Sequence, residues 1–151
     1  MLFLGSDHNG FKLKQGVKRY LTNHGYEYED LGNLELDKKD DYPDYGRLVA
    51  EKVSANPKKN KGILICGSAE GMGIVANKFR NVRAAIVYSE SIAKKSREDT
   101  DCNILVLSGW VLSESKAKKI LKVWLETEFS KAPRHKRRLN KVKKIEKERF
   151  K

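Results

Sequence analysis

Short apolar runs alternate along this chain with longer segments in which apolar side chains recur every three or four residues. The short runs are typical of buried parallel strands, and the longer repeat is typical of helices that cover such a sheet. The pattern therefore predicts an α/β fold with five parallel strands, covered by helices on both faces. The predicted strands occupy residues 1–5, 26–31, 62–66, 83–87 and 103–108.

Local signals indicate where the intervening helices begin and end. Gly25 is suited to the left-handed position after a helix, and Pro43 fits the first turn of the next one. Ser89 and Ser113 are placed to cap the helices that follow the fourth and fifth strands. The helix after the third strand is predicted to continue to about Phe79.

The last segment differs from the other helices because charge dominates its sequence. A basic helix is predicted over 134–151, and its apolar positions are limited to Leu139, Val142 and Ile145. This apolar stripe is too narrow for a helix buried in the core. We expect the helix to cross to a partner subunit, with its arginines near the pocket of that partner.

Length and composition restrict the class of protein. The chain has 151 residues, which suits a single domain over 1–151. No apolar run approaches the roughly 20 residues that a membrane-spanning helix needs. The amino-terminal strand lacks the basic start and longer apolar stretch of a signal peptide, so a cytoplasmic location is expected. Cys66 and Cys102 have neither disulfide nor zinc-site spacing.

The net charge of +12 raises the question of a nucleic-acid partner. A basic surface attracts any polyanion, and much of the excess charge lies in the segment 134–151. No zinc-finger spacing or aromatic RNA-binding signature accompanies that segment. A solvated basic helix that carries a few phosphate-binding arginines is therefore favoured over nucleic-acid binding.

The turn after the third predicted strand carries the strongest signal for chemistry. An apolar run ends there in the thiol of Cys66, and the glycine-rich segment 67–73 follows. Open parallel sheets bind ligands at the carboxyl ends of their strands, and a helix start offers backbone N–H groups to an anion. The same helix start lowers the pKa of a nearby thiol. The segment predicts an enzyme for a small phosphorylated or enolisable molecule, with a buried structural cysteine as the alternative.

Other polar and aromatic side chains follow the predicted strands. Asp7 and His8 follow the first strand, so they share an edge of the sheet with Cys66 and are favoured as a binding pair. Ser68 is placed either to donate a hydrogen bond to a substrate oxygen or to cap the next helix. Trp110 follows the last strand, where it either stacks on a ligand or fills an interface.

Recognisable motifs are spread along most of the chain, at 5–14, 41–45, 62–68, 76–78, 82–85, 96–98 and 134–138. Together they resemble the ribose-5-phosphate isomerase type B family, which includes the subunits of galactose-6-phosphate isomerase. The resemblance extends from Met1 to about Val142. It implies a Rossmann-like three-layer α/β/α sandwich and a homodimer that often pairs into a tetramer. It also implies the absence of a metal or organic cofactor, and the interconversion of an aldose phosphate and a ketose phosphate through an enediolate.

The resemblance also assigns roles to residues near the third strand. Cys66 matches the base of the family, and Ser68 matches a hydroxyl that assists at the reacting carbons. Backbone N–H groups from Gly67 through Gly71 to Gly73 are expected to stabilise the enediolate oxygen.

Substrate-binding positions of the family are matched elsewhere in the chain. Asp7 and His8 match two of them, and Arg134 and Arg138 match arginines that bind the phosphate. Two guanidinium groups suit a phosphate dianion because each presents a planar set of donors. The family builds this pocket across a dimer interface, which agrees with the expected position of the basic helix.

Two departures from the family pattern leave the substrate open. Asp99 stands where the family has a histidine that helps to open the sugar ring, and it would need a raised pKa to act as an acid near neutrality. Trp110 stands where the family has an arginine that contacts the substrate. Ribose 5-phosphate is the leading substrate. The alternatives are a six-carbon or open-chain sugar phosphate, or a sugar-phosphate-binding relative with impaired catalysis.

Overall fold

All five predicted strands form in the computed structural model, which describes residues 1–150. Lys151, which the sequence prediction included in the domain and in the last helix, lies outside the described residues. Each strand lies at or close to its predicted position. The strands are β1 (Leu2–Ser6), β2 (Tyr28–Asp30), β3 (Lys61–Cys66), β4 (Ala84–Ile86) and β5 (Ile104–Ser108).

Helices connect the strands in the predicted order. They are α1 (Phe11–Asn23), α2 (Tyr42–Ala55), α3 (Glu70–Ala76), α4 (Glu90–Thr100), α5 (Glu114–Glu126) and α6 (Pro133–Arg149).

Two of the predicted caps and one left-handed residue are confirmed. The Ser89 hydroxyl accepts a hydrogen bond from the N–H of Ile92 at 3.3 Å, and Ser113 accepts from Lys116 at 3.1 Å. Gly25 follows α1 with φ +71°. Each signal worked because it depends on the few residues around a helix end.

Helix α3 is shorter than predicted, because it ends at Ala76 rather than near Phe79. The side chain of the next residue, Asn77, pairs with the backbone of the edge strand β4. Its amide nitrogen donates to the Ala84 carbonyl at 3.0 Å, and its oxygen accepts from the Ala84 N–H at 2.9 Å. This tertiary pairing fixes where the chain leaves the helix and returns to the sheet.

The sheet is wholly parallel and its strand order is β2-β1-β3-β5-β4. Strand β2 lies on one side of β1, and β3 lies on the other side. The direction in which successive strands are added to the sheet therefore reverses between β1 and β3. The carboxyl ends of these two strands flank a crevice of the kind in which such folds bind ligands. The three-layer fold expected from the sequence is confirmed.

Two apolar clusters cover the two faces of the sheet. One contains residues of α1, α4 and α5, including the fully buried Trp124. The other contains residues of α2 and α3, and Cys66 belongs to it. Helix α6 lies outside both layers.

The basic helix α6 makes only a light contact with its own chain. His135 is buried near its start, whereas Val142 and Ile145 are exposed by 51% and 60%. The carboxylate of Glu146 accepts a hydrogen bond from the Asn81 N–H at 2.6 Å. A mostly exposed helix agrees with the narrow apolar stripe, and its crossing to a partner subunit stays a prediction.

A buried ammonium group anchors the loop after β2. Lys14 on α1 is fully buried, and its Nζ donates to Asp30 at 3.0 Å and to the Asn33 carbonyl at 2.5 Å. Burial lowers the pKa of Lys14, and the Asp30 carboxylate opposes that change. Lys18 donates to the second Asp30 oxygen at 2.8 Å. These bonds hold the start of the loop that leads to α2.

We predict that Asp30→Asn destabilises the fold by about 3 kcal/mol at neutral pH, because the buried ammonium loses its counter-charge. Neutral Lys14 does not need that charge, and its pKa is already lower in the folded state. The loss therefore shrinks as the pH rises through the folded pKa of Lys14. Urea unfolding at two pH values measures both effects.

The exposed pair of Arg47 and Glu51 supplies the control. Glu51→Gln removes a carboxylate that is largely in water, so the free energy of unfolding stays nearly unchanged. Equal losses in Asp30→Asn and Glu51→Gln would contradict the role given to the buried pair.

Candidate active site

The in-register pairing of the central strands brings three chain segments to one edge of the sheet. Ser6 pairs with Ile65, and Cys66 pairs with Ser108. The residues that follow these strand ends therefore surround one crevice. They include Asp7 and His8 after β1, the glycine-rich turn after β3, and the turn with Trp110 after β5.

Cys66 is the last residue of β3, at this edge of the sheet, and is only 4% exposed. Burial raises the pKa of the Cys66 thiol, while the backbone N–H groups of Met72, Ala69 and Gly71 act to lower it. The negative charge of Asp7 raises the pKa further. The expectation that the helix start would lower this pKa is therefore wrong, because desolvation outweighs the amides. The backbone N–H groups of the turn nevertheless act in the predicted direction.

The turn between Cys66 and α3 is held in an unusual backbone conformation. Ala69 precedes the helix with φ +75°, a left-handed angle that alanine seldom adopts. Strained residues of this kind concentrate at functional sites, where the surrounding structure holds them in place. Ser68 is not the residue at the cap position. Its hydroxyl accepts from the Glu70 N–H at 3.3 Å, so its own proton is free for a ligand.

The predicted amide donors of the turn are not equivalent. The N–H of Gly71 acts to lower the pKa of the Cys66 thiol. The N–H of Gly73 donates to the Ala69 carbonyl at 3.1 Å inside α3, so it is not available to a substrate. The backbone N–H groups of 67–73 that remain available to a ligand therefore precede Gly73, which makes the first hydrogen bond of helix α3.

Asp7 is buried beside the crevice and has a structural partner. One of its oxygens accepts from the Gly10 N–H at 3.0 Å, which closes the turn into α1. Burial raises the pKa of Asp7, against the bond from Gly10. A carboxylate that is 6% exposed and has a second oxygen available suits the binding of a sugar hydroxyl.

The predicted site did not include Asp40, which holds His8 in place. The Nδ1 of His8 lies 2.6 Å from Oδ1 of Asp40, and the His8 N–H donates to the same oxygen at 3.0 Å. The second Asp40 oxygen accepts from the amide of Asn33 at 2.7 Å. The hydrogen bond to Asp40 raises the pKa of His8. No local signal distinguishes Asp40 from the other charges of its loop, because its partner lies 32 positions away.

Three aromatic side chains surround the glycine-rich turn. The Trp110 indole lies over Gly67, and the Tyr42 ring lies over Gly71. A Cβ on either glycine would meet the ring at 2.4 or 2.6 Å, so a side chain at either position requires the ring to shift. The Tyr88 hydroxyl donates to the Ser68 carbonyl at 2.9 Å. Tyr88 was not among the predicted residues, because it follows the edge strand and carries no motif.

The remaining predicted residues lie around the end of α4 and the start of α6. His135 is buried there, with its Nε2 at 3.5 Å from Asp99 and its Nδ1 at 2.7 Å from the Ser130 hydroxyl. Arg134 and Arg138 are exposed on the first turns of α6. These four residues form a second group, which the chain does not bring to Cys66.

The parallel topology separates the two groups. Helix α4 ends beside the amino ends of β4 and β5, where Arg83 donates to the carbonyls of Thr100 and Asp101. Cys66 lies at the opposite end, next to Ser108. The five residues of β5 span roughly 13 Å. Within one chain, Asp99 therefore lies at the edge of the sheet opposite to the thiol.

Two further observations concern the part of the chain that the structure describes. No helix within residues 1–150 is long and apolar enough to cross a membrane. The same residues contain no group of three or more His, Cys, Asp or Glu side chains that could hold a metal ion. Cys66 and Cys102 are both free thiols.

Comparisons with known proteins give a consistent result. Residues 2–142 match the family model described as Ribose/Galactose Isomerase. The chain is 40% identical to a probable ribose-5-phosphate isomerase B of Mycoplasma genitalium over 147 residues, which cover 97% of this chain and 96% of that protein. It is also similar to a crystal structure of ribose-5-phosphate isomerase B from the same organism with bound ribulose-5-phosphate. The TM-score is 0.94 at 40% identity, covering 97% of this chain and 96% of that one.

A further relative has a different name. The 4-deoxy-4-sulfo-D-erythrose isomerase of Clostridium sp. strain MSTE9 is 37% identical over 129 residues, which cover 85% of this chain and 80% of that protein. The similarity thus includes a protein named for a sulfonated sugar. Each of these similarities covers at least 85% of this chain.

We predict that Asp40→Asn lowers the pKa of His8, because it removes the carboxylate that stabilises the imidazolium. The protonated fraction of His8 at neutral pH falls accordingly. Titration of the histidine ring signals by NMR measures the change. His24, which bonds to the Tyr20 carbonyl far from Asp40, is the internal control. An unchanged His8 midpoint would contradict the role given to Asp40.

Proposed function

This chain belongs to the ribose/galactose isomerase family, and we propose that it interconverts ribose 5-phosphate and ribulose 5-phosphate. The family model covers residues 2–142. The observation that carries the proposal is the position of Cys66, a thiol at the point where the strand order reverses, whose pKa the backbone N–H groups of the following turn act to lower. A base beside fixed amide donors suits a proton transfer that passes through an oxyanion.

The proposed reaction uses Cys66 as the base. The thiolate takes the proton from C2 of the open-chain aldose, and the electron pair of that C–H bond forms the C1–C2 double bond of an enediolate. The negative charge collects on the oxygen of C1, within reach of amide donors in the turn 67–71. Return of the proton to C1, with transfer of the hydroxyl proton from the oxygen of C2 to the oxygen of C1, gives the ketose.

The raised pKa of Cys66 has two consequences for this step. It makes the thiolate a stronger base toward a carbon acid, and it makes the thiolate scarcer at neutral pH. Ser68 is placed to move the hydroxyl proton between the two substrate oxygens, since its own O–H is not engaged as a donor. Asp7 and His8 are proposed to bind substrate hydroxyls beside it.

A second copy of the chain is proposed to complete the site. Arg134 and Arg138 are exposed, cationic and fixed on a helix, so they suit a phosphate dianion. They cannot meet Cys66 of their own chain, because α6 begins beside the end of α4 at the other edge of the sheet. In a two-fold dimer, each copy can lend its α6 to the crevice of the other. Asp99 and His135 would enter the same shared pocket.

The substrate has a second candidate class. Asp99 replaces the histidine that opens the sugar ring in the family, and Trp110 replaces an arginine. An open-chain or six-carbon sugar anion would suit these replacements, and a relative named for a sulfonated four-carbon sugar supports the open-chain alternative. Tight binding of sugar phosphates without turnover would instead indicate a binding protein. We place the protein in the cytoplasm, where a reducing environment preserves its two free thiols.

We predict that Cys66→Ala lowers the turnover of ribose 5-phosphate by about 10²–10⁴-fold, because the reaction loses its base. Exchange of the C2 proton with D₂O, followed by NMR, falls by a similar factor. Cys102→Ala is the matched control, since Cys102 is buried near the amino end of β5 and leaves Cys66 in place. Exchange at the parent rate in Cys66→Ala would rule out the thiol as base.

We predict that mixing inactive Cys66→Ala and Arg138→Ala chains restores activity after subunit exchange. A mixed dimer has one site with both residues intact and one site with neither. Because random pairing makes half of the dimers mixed, about one quarter of the parent activity is expected. If thiol and arginine belonged to one chain, no mixture would be active.

A further inference from the structure

A cavity of about 390 Å³, the amino-end cavity, lies at the edge of the sheet opposite to Cys66. The parallel register creates it, because Gly62 of β3 and Ala84 of β4 both pair with Ile104 of β5. The starts of these three strands are therefore side by side, and the residues at or just before them line the cavity. Helix α6 adds Lys143 to the same lining.

Positive charge dominates the amino-end cavity. Its ionisable lining residues are five cations and one carboxylate: Lys58, Lys61, Arg83, Arg97, Lys143 and Asp101. The carboxylate of Asp101 accepts from Arg83 at 3.2 Å and from Arg97 at 3.0 Å, so it is already paired with the two arginines. The lining has a formal net charge of +4, and such a concave cationic surface attracts an anion.

Lys61 is a half-buried cation without a counter-charge. Its ammonium lies 5.5 Å from the centroid of the Trp124 ring, and the Arg97 guanidinium lies 5.7 Å from the same centroid. Within residues 1–150, Lys61 has no salt-bridge partner. Burial lowers the pKa of Lys61, and the charge of Arg97 lowers it further, against Asp101. The fold thus holds an ammonium where its charge is unfavourable, and a bound anion would relieve that cost.

The two arginines are held in place by the chain itself. Nε of Arg83 donates to the carbonyls of Thr100 and Asp101 at 3.1 and 2.9 Å. Nε of Arg97 donates to the Thr127 carbonyl at 3.2 Å. Guanidinium groups that are already ordered bind an anion at a lower cost in conformational entropy than mobile ones.

We propose that the amino-end cavity binds a small molecule that carries two phosphate groups and no aromatic ring. One phosphate has a charge of roughly −1.5 to −2 at neutral pH, so two are needed to match the lining. The volume of about 390 Å³ lies within the range of small-molecule sites. Pro57 is the only apolar residue that the described part of the chain contributes to the lining, so a nucleobase would find no surface on which to stack.

The amino-end cavity is separated from the residues to which the proposed function assigns the substrate. Lys61 and Cys66 are the first and last residues of β3, so roughly 16 Å of strand lies between them. Lys143 lies roughly 140° and 180° around the axis of α6 from Arg138 and Arg134, because an α-helix has about 3.6 residues per turn. Occupancy of the cavity therefore does not require the isomerase function.

The first test measures the affinity for inorganic pyrophosphate by calorimetric titration of the full chain. An Arg138→Ala background removes a phosphate-binding group of the proposed active site. Lys61→Met keeps most of the side-chain length but not the charge, and weakens binding by about tenfold or more. Lys143→Gln weakens it by about threefold, because this exposed charge is screened. Lys144→Gln, the matched control, removes the same charge from a side chain that is 78% exposed, and leaves the affinity unchanged.

Three outcomes would overturn the proposal. Equal losses in Lys61→Met and Lys144→Gln would show diffuse attraction to a basic surface, and no binding at all would show that the cavity is closed to anions. The third is a loss of stability that accompanies the loss of affinity. We expect the free energy of unfolding of Lys61→Met in urea to equal or exceed that of the parent, because a desolvated charge is removed.

Three further probes define the ligand class. Fructose 1,6-bisphosphate displaces pyrophosphate if the natural ligand is a sugar, and fails to displace it if the ligand is the inorganic anion; both results support two phosphate groups. Inorganic phosphate binds about tenfold more weakly than pyrophosphate. ADP, which has two phosphates and an aromatic base, gains nothing over pyrophosphate. Phosphate as tight as pyrophosphate, or ADP tighter than pyrophosphate, would overturn the class proposed.

Discussion

The parallel hydrogen-bonded register of β1, β3 and β5 is the constraint from which the chemistry of this protein follows. The register places the carboxyl ends of the three strands side by side, so the turns that follow them lie next to one another. The thiol of Cys66, the pair of Asp7 and His8, and the indole of Trp110 lie around one crevice for this reason. The order of the elements brings these residues to one edge, and the bond from Asp40 then holds the ring of His8 in place. A shift of one residue in the register would turn Cys66 to the other face of the sheet.

Burial gives the crevice its chemical character. The thiol of Cys66 belongs to an apolar cluster, yet backbone N–H groups of the following turn act on it, and these two influences move its pKa in opposite directions. The left-handed Ala69 maintains the turn that carries those amides. A protein that only needed a small apolar side chain at this position would have no reason to retain that strain. The arrangement instead suits a strong base with a fixed oxyanion site beside it.

The same topology that assembles one group of residues separates the other. Every connection in the sheet returns the chain to the opposite edge, so a helix that follows a strand ends far from that strand's carboxyl end. Asp99, His135 and the two arginines of α6 lie beyond that edge. The buried Lys14 and Asp30 pair holds the loop that carries Asp40 to His8, so a polar network supports the thiol side of the site from within one chain. A two-fold dimer is the simplest way to give the crevice a cationic partner.

Features that depend on neighbouring residues could be predicted from the sequence: the five strands, the caps at Ser89 and Ser113, and the left-handed Gly25. The sequence also brought Cys66, Asp7 and His8 to one edge, because the order of elements in a parallel sheet is enough to place strand ends. The folded chain was needed to establish three further features: the direction of the Cys66 pKa shift, the end of α3 at Ala76, and the bond between Asp40 and His8. These depend on desolvation and on pairings between residues far apart in the chain, and neither is encoded in a local pattern of apolar and polar positions.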